Sequence, residues 1–359
     1  MKRILLFVFS LITNFLFAQD NSGTYMYPFV NDNKWGYINK EGDVLIPAMY
    51  EAAGFYYNGL ASVKSKGKFG FIDTYNKMVI EPQFDSSSHF SEGYCAVAIY
   101  QKDLPTQWGY INIKGIPLET EIPSLGFATD FKEGRAIVSE EGFAEYRIIN
   151  KKGKIIYKSG VNDYYLYEDS KNLYNNGLLR VQKVTSPGTY HTEFLDTMGK
   201  IVSGFNYQNY DDIGYAGENL FWVMKNGKFG LIDAMNKVIL EEKYDTILSF
   251  SEGWTRVSEG MQIDYSLGKL SGGTHRYIDS KGKTVIDPKS AMGFCFHNGY
   301  AKVYENGKWG FMNANGLIVI EAKFDNVEDF FRGLALVTNE GHLQYIDTKG
   351  KVIWYETKN

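Results

Sequence analysis

Cysteine is almost missing from this chain: its 359 residues hold two, Cys95 and Cys295. No CxxC pair exists, which excludes a metal knuckle or a dithiol redox centre. A bridge needs its two Cα atoms within about 7 Å, so both thiols are expected to be buried and unpaired, acting as small apolar residues. An excess of charge is missing too. The 42 acidic residues outnumber the basic ones by four, 42 against 38, and such a balance provides no basic face for nucleic acid. No run after residue 18 is apolar and long enough to cross a membrane as a helix. The five histidines, His89, His191, His275, His297 and His342, form no HExxH and no pair at metal spacing. No Gly-x-Ser-x-Gly elbow accompanies Ser86-Ser87-Ser88-His89, which reads as a polar loop. Asn31-Asp32-Asn33 is too short for a calcium loop, and no glycine loop cradles a phosphate. No metal, cofactor or catalytic residue is therefore expected.

What is present begins with residues 1–18. Lys2 and Arg3 precede a nearly unbroken apolar stretch, Ile4 to Phe17, and Ala18 precedes Gln19-Asp20. This is the pattern of a secretory signal peptide. It predicts an exported chain, in the periplasm, at the cell surface or secreted, with residues 19–359 forming one domain and no transmembrane segment in the mature protein.

The remainder is a repeat. Lys34-Trp35-Gly36-Tyr37-Ile38-Asn39 returns as Lys68-Phe69-Gly70-Phe71-Ile72-Asp73, Gln107-Trp108-Gly109-Tyr110-Ile111-Asn112, Lys228-Phe229-Gly230-Leu231-Ile232-Asp233 and Lys308-Trp309-Gly310-Phe311-Met312-Asn313. Weaker copies end at Asn150, Asp196, Asp279 and Asp347, with Arg147, Glu193, Arg276 and Gln344 in the glycine's place. Before this strand comes a glycine followed by alternation, as in Gly59-Leu60-Ala61-Ser62-Val63; after it come a turn and an apolar strand such as Val44-Leu45-Ile46-Pro47. A loop with an aromatic three residues before the next glycine then follows, at Tyr56, Phe90, Phe131, Tyr174, Phe250, Phe296 and Phe330. Alternation broken by Gly/Asn turns signals hairpins, so each unit is expected to hold three strands. A glycine within a strand leaves room for something close, and a side chain from the adjacent strand or the next unit is the expected occupant. The recurring Asn or Asp suits the turn that follows.

The Trp-Gly-Tyr-Ile-Asn strand, with its downstream Ile-Pro-x-x-Tyr and Gly-x-Ala-x-Val blocks, resembles the WG-repeat family, also called KWG repeats, over residues 24–359. The resemblance implies a secreted or surface bacterial protein with no enzyme activity attached to the repeat.

Such small units are stable only when stacked. About nine of them predict an all-β fold, an open twisted array of three-stranded hairpin repeats, with a closed β-propeller as the alternative. Trp35, Gly36, Phe69, Gly70, Trp108, Gly109, Phe229, Gly230, Trp309 and Gly310 are then structural. Longer turns at Tyr100–Gln107, Lys183–His191 and Glu259–His275 are expected to project from one edge, and Lys158–Asn175 lengthens the other loop. The candidate binding residues on that edge are Asp103, Tyr190, His191 and Tyr265, since repeat proteins often bind through such loops. The function expected is a non-catalytic binding or scaffold module for a protein or an envelope glycan. A carbohydrate-active enzyme using the aromatic surface, or a passive spacer, is the alternative. Exposed end strands could also pair between chains.

Overall fold

A computed structural model describes residues 25–100, 102–140, 145–160, 164–166, 176–186, 189–202, 204, 209–264, 269–287 and 292–357. The expected signal peptide at 1–18, Tyr265 and most of the Lys158–Asn175 stretch lie outside the described residues. The rest is antiparallel β-sheet, with no α-helix among the described residues.

The sheets follow one another along the chain. The second is typical: Ala52–Ala53, Ala61–Ser65, Lys68–Ile72 and Met78–Phe84 pair in that order. The sixth, eighth and ninth repeat it over Asp212–Tyr244, Met292–Phe324 and Asn326–Tyr355, and the seventh over Thr246–Ile286. The unit therefore has four strands, not three. The extra strand comes from the loop with the anchor aromatic, which adds a short piece such as Ala52–Ala53 to the front of the next sheet. One acidic residue, Glu51, Asp85, Asp245 or Asp325, separates the last strand of one sheet from the first strand of the next. Among the described residues the first sheet, Tyr27–Asn31, Lys34–Ile38 and Val44–Tyr50, shows no such front strand. Between the third and fourth sheets a single pairing, Trp108 with Leu125, bridges the boundary.

The glycine of the repeat has a definite neighbour. Trp35 stands opposite Tyr50, yet Tyr37 stands opposite Ile46, so the last strand bulges over Gly36. The same jump recurs over Gly70, Gly230 and Gly310. A Cβ at Gly36, Gly70 or Gly310 would overlap the carbonyl oxygen of Ile46, Ile80 or Ile320. The occupant is thus the backbone of the adjacent strand, in place of the side chain expected. The bulge returns the strand so that Tyr50, Phe84, Tyr244 and Phe324 are buried opposite Trp35, Phe69, Phe229 and Trp309. Where Arg147 and Gln344 replace the glycine, pairing advances residue for residue, Arg147–Lys158 then Ile148–Tyr157, and Gln344–Tyr355 then Tyr345–Trp354. Those units pack by omitting the bulge.

Successive sheets meet through a recurring contact. The aromatic after the glycine lies against the anchor aromatic of the next unit: Tyr37 on Tyr56, Phe71 on Phe90, Tyr110 on Phe131, Tyr277 on Phe296 and Phe311 on Phe330, with centroids 4.6–5.0 Å apart. Such pairs contribute about 0.5–1.5 kcal/mol each beyond their burial. The tyrosines among them also donate to a carbonyl of the next sheet, Tyr37 to Gly54, Tyr110 to Thr129 and Tyr277 to Phe294, at 2.6–2.7 Å. In addition, turn glycines such as Gly316 and Gly350 sit against Ile286 and Ile320 of the preceding sheet.

Both contacts recur between the ends of the chain. Tyr345 of the ninth sheet lies 5.6 Å from Tyr27 of the first and donates to the Pro28 carbonyl at 3.0 Å. Gly42 sits against Ile353, and Tyr27 donates to the Arg332 carbonyl at 3.0 Å. Tyr27, Phe29, Ile38, Leu334 and Tyr345 form one buried cluster. Tyr27 pairs with Ile38 as Ala61 pairs with Ile72, so a large ring stands where the second unit has a methyl group. Among the described residues that ring takes the part an anchor aromatic plays at the other junctions. The array is therefore open in its hydrogen bonding, with no ladder closing a barrel among the described residues, and closed in its packing. The expected all-β open array of stacked repeats is what the described residues form, with its two end sheets in contact.

The bulge makes a paired prediction. Gly70→Ala forces a Cβ onto the Ile80 backbone and should lower the unfolding free energy by several kcal/mol, in the range of overpacked sites at about 1–3 kcal/mol or more. Gly109→Ala, with no atom within 4 Å of the added carbon, should be neutral or raise stability by up to about 1 kcal/mol. Urea unfolding of the two variants measures the difference.

Candidate functional site: the inserted edge and the junction between the seventh and eighth sheets

The acids of the repeat are occupied by backbone. Each of the nine Asn/Asp anchors takes two amide protons of its own turn on Oδ1; Asp73 accepts from Tyr75 and Lys77, both at 2.9 Å, and Asp347 from Lys349 and Lys351, both at 2.9 Å. The acids linking successive sheets have a different task. Asp85, Asp245 and Asp325 accept from Tyr100, Met261 and Gly341, in the turn between the second and third strands of the following sheet, at 2.8, 2.7 and 3.3 Å. Each also binds the lysine that opens its own unit's Trp/Phe-Gly strand, Lys68, Lys228 or Lys308, at 2.5–2.6 Å. The ammonium holds each carboxyl below the usual carboxylate range. A lysine that the sequence places at the strand start thereby steadies the edge from which the inserted loops project.

Those loops lie at corresponding ends of alternate sheets. Asp103 is in an exposed turn of the third unit, with φ 62°. Tyr190, 53% exposed, and His191 belong to the lengthened hairpin Leu179–Ser186/Thr189–Leu195 of the fifth. His191 Nε2 is 2.7 Å from Glu193 Oε1. The seventh unit inserts a separate hairpin, Gln262–Asp264 with Lys269–Ser271. The candidates share an edge but come from different units and form no single constellation. Tyr100 and Leu104, which the sequence reading passed over, are 54% and 57% exposed on the same edge as Tyr190.

Neither cysteine is bridged. Cys95 is buried as expected, and burial pushes its thiol up to about 12. Cys295 is only half-buried, because it lies on the Met292–His297 front strand, its Sγ 3.5 Å from the Ser249 carbonyl. Among the described residues no cluster of three or more His, Cys, Asp or Glu could hold a metal.

A second polar feature lies between sheets. The residue before the valine of the second strand points toward the front strand of the next unit. In the fifth unit this is Arg180, whose Nε donates to the Ile213 carbonyl at 2.9 Å and whose Nη2 meets Asp212 at 2.5 Å. In the eighth it is Lys302, paired with Asp329 at 3.2 Å; His297 lies 3.7 Å from the same carboxylate. In the seventh it is Arg256, 4% exposed, whose Nη1 donates to the Gly293 carbonyl at 2.6 Å while Nε has no partner among the described residues. Its guanidinium lies 5.5 Å from the Phe294 ring. Burial depresses its basicity, and Tyr277 and Cys295 partly counter that effect. Burial and the Arg256 charge together lower the pKa of His275, whose Nδ1 is 2.8 Å from Ser258 Oγ.

Tandem four-stranded sheets joined in this way define a β-repeat protein. The model of the WG containing repeat matches residues 35–69, 69–102, 194–229, 229–260, 276–309 and 309–341, more than half of the chain, and the protein belongs to that family. No curated protein matches it. Among solved structures, a eukaryotic initiation factor superposes with a TM-score of 0.60 at 14% identity, over 93% of this chain and 95% of that one. The likeness shows the fold alone. Apo AztD from Citrobacter koseri reaches 0.41 at 13% identity, over 93% and 94% of the two chains.

The lysine–aspartate pairs set a pH dependence. Because folding lowers the pKa of Asp85, Asp245 and Asp325, their contribution is present above the ordinary carboxylate pKa of about 4 and fades as pH falls through the lowered folded values. Melting temperature followed from pH 7 to pH 2 should fall most steeply below about pH 4, and more gently in Asp245→Asn.

Proposed function

We propose that this protein is an exported, non-catalytic binding module that recognises a protein or an envelope glycan through the inserted edge. The observation that carries the reading is the contrast between the two kinds of residue. The repeated acids are committed to turns and inter-sheet links, while the residues that break the repeat carry large side chains into water, Tyr100, Leu104 and Tyr190 among them. Exposed aromatic and aliphatic side chains on loops that project from a folded scaffold are the material of binding surfaces. Export rests on the amino-terminal pattern at residues 1–18, and the near-neutral charge argues against a nucleic-acid ligand.

The test replaces residues 100–106 and 184–190 each by Asn-Gly, a turn that closes two-residue hairpins. Wild-type and trimmed chains of residues 19–359 are passed over purified peptidoglycan sacculi, envelope polysaccharide and immobilised envelope proteins. The expected outcome is retention of the wild type on one of these, loss in the trimmed chain and unchanged melting. Equal retention of both, or of neither, contradicts the reading.

A further inference from the structure

The near balance of charge over the whole chain hides a segregation by edge. In every unit the anchor Asn or Asp closes the Trp/Phe-Gly strand or its counterpart, and a four-residue turn follows. The fold does not dictate the residues of that turn. Its fourth place is held by Asp43, Ile116 or Leu317 in three units, and by lysine in the other six, Lys77, Lys154, Lys200, Lys237, Lys283 and Lys351. Six more lysines occupy the first or second place, making twelve in the nine turns. Against them stand seven carboxylates, Glu41, Asp43 and the five anchors that are aspartate, so the turns hold a surplus of five positive charges in a chain of net charge −4. All twelve lysines are exposed, and none is ion-paired among the described residues. Lys68, Lys228 and Lys308, at the other end of the same strand, each hold a linking acid.

The nine turns form one continuous row. Each seats on the segment that follows the corresponding turn of the preceding unit: Gly115 on Ile80, Gly153 on Glu119, Gly199 on Ile156, Gly282 on Leu240, Gly316 on Ile286 and Gly350 on Ile320. Two turns carry asparagine in the glycine's place and reach the same segment by a hydrogen bond. Asn76 Oδ1 accepts from the Tyr50 hydroxyl at 2.6 Å, and Asn236 Nδ2 donates to the Gly204 carbonyl at 2.7 Å. Gly42 against Ile353 carries the row across the meeting of the ends. The inserted loops precede the strand that these turns follow, so the two sets lie on opposite edges of the array. Of the five turns without lysine at the second place, three put a large apolar side chain there: Tyr75, Met198 and Met235, which are 86%, 66% and 83% exposed. Lysines around protruding aromatic and thioether groups suit an anionic membrane, where the ammonium groups meet headgroup phosphates and the apolar tips enter the acyl boundary. A soluble polyanion would use the charge and leave those tips in water.

We propose that this lysine edge docks on an anionic phospholipid membrane, with Tyr75, Met198 and Met235 entering the interface between the charged turns. The inserted loops then face away from the membrane. Docking is independent of what those loops bind, and the two readings fail separately: the lysine edge contains none of the residues trimmed above.

The experiment passes the chain of residues 19–359 over captured vesicles of phosphatidylcholine, over vesicles of equal parts phosphatidylcholine and phosphatidylglycerol, and over immobilised polyphosphate. Binding is expected to the phosphatidylglycerol vesicles and not to phosphatidylcholine alone, and it should weaken as salt is raised. Lys200→Glu, Lys237→Glu and Lys283→Glu together should weaken it by roughly tenfold or more. The same change of charge on the opposite edge, Lys66→Glu with Lys102→Glu and Lys225→Glu, should leave it nearly unchanged. The strand between the edges is roughly 16 Å or more in length, beyond the Debye length of about 8 Å at physiological salt. Tyr75→Ser with Met235→Ser should weaken vesicle binding severalfold and leave its salt dependence as it was, which a purely electrostatic contact would not show. All these positions are exposed, so the variants should melt with the wild type. No binding to phosphatidylglycerol vesicles, equal losses in the two lysine variants, or a serine variant that binds as tightly as the wild type overturns the assignment. Polyphosphate bound as tightly as the vesicles also overturns it, in favour of a soluble polyanion.

Discussion

One aromatic ring of each unit lies against one ring of the next, and the rest of the molecule is arranged around that contact. A sheet of four short strands buries too little on its own. With Phe71 on Phe90 or Phe311 on Phe330, two neighbouring sheets share a core. The tyrosine versions add a hydrogen bond across the junction. The last junction uses the same chemistry: Tyr27 takes the part that the anchor aromatic plays elsewhere. Stability is therefore shared around the array, and no end unit is left with its apolar face uncovered by a neighbour.

The glycine of the repeat serves a different task from the rings beside it. It lets the last strand of its own sheet bulge inward, which buries Tyr50, Phe84, Tyr244 or Phe324 and aims the following acid at the neighbouring hairpin turn. Lys68, Lys228 and Lys308 then fix that acid. Lysine, aromatic and glycine at the start of the repeat act successively: the lysine on the edge, the aromatic on the core and the glycine on the backbone between them.

Much of this was legible in the chain. Alternation, the Gly turns and the fixed offset of the anchor aromatics gave units, hairpins and stacking. The fourth strand was not legible, because Ala52–Ala53 or Ser86–Ser87 is two residues long and carries no alternation to read. The meeting of the ends was hidden for a related reason. Tyr27 lies in a strand that looks like the others, and only its register against Ile38 shows that a ring occupies the place of a methyl group. At the candidate site, the loops of Asp103, Tyr190 and His191 could be found as departures from the repeat. Arg256 could not be singled out on type alone, since Arg180 and Lys302 occupy the same place. Its distinguishing feature, a nearly full burial with Nε unpartnered among the described residues, is seen only in the folded chain.

The central claim is that the first and ninth sheets meet as neighbouring sheets do elsewhere. Spin labels at Glu41 and Lys351 span that seam, and labels at Lys349 and Leu317 span the equivalent internal junction between the ninth and eighth sheets; all four positions are exposed. Pulsed electron–electron distance measurement on the two doubly labelled chains compares the junctions directly. The account predicts the same narrow distance for both pairs. A long or broad distribution at the seam, beside a narrow one at the internal junction, would contradict it.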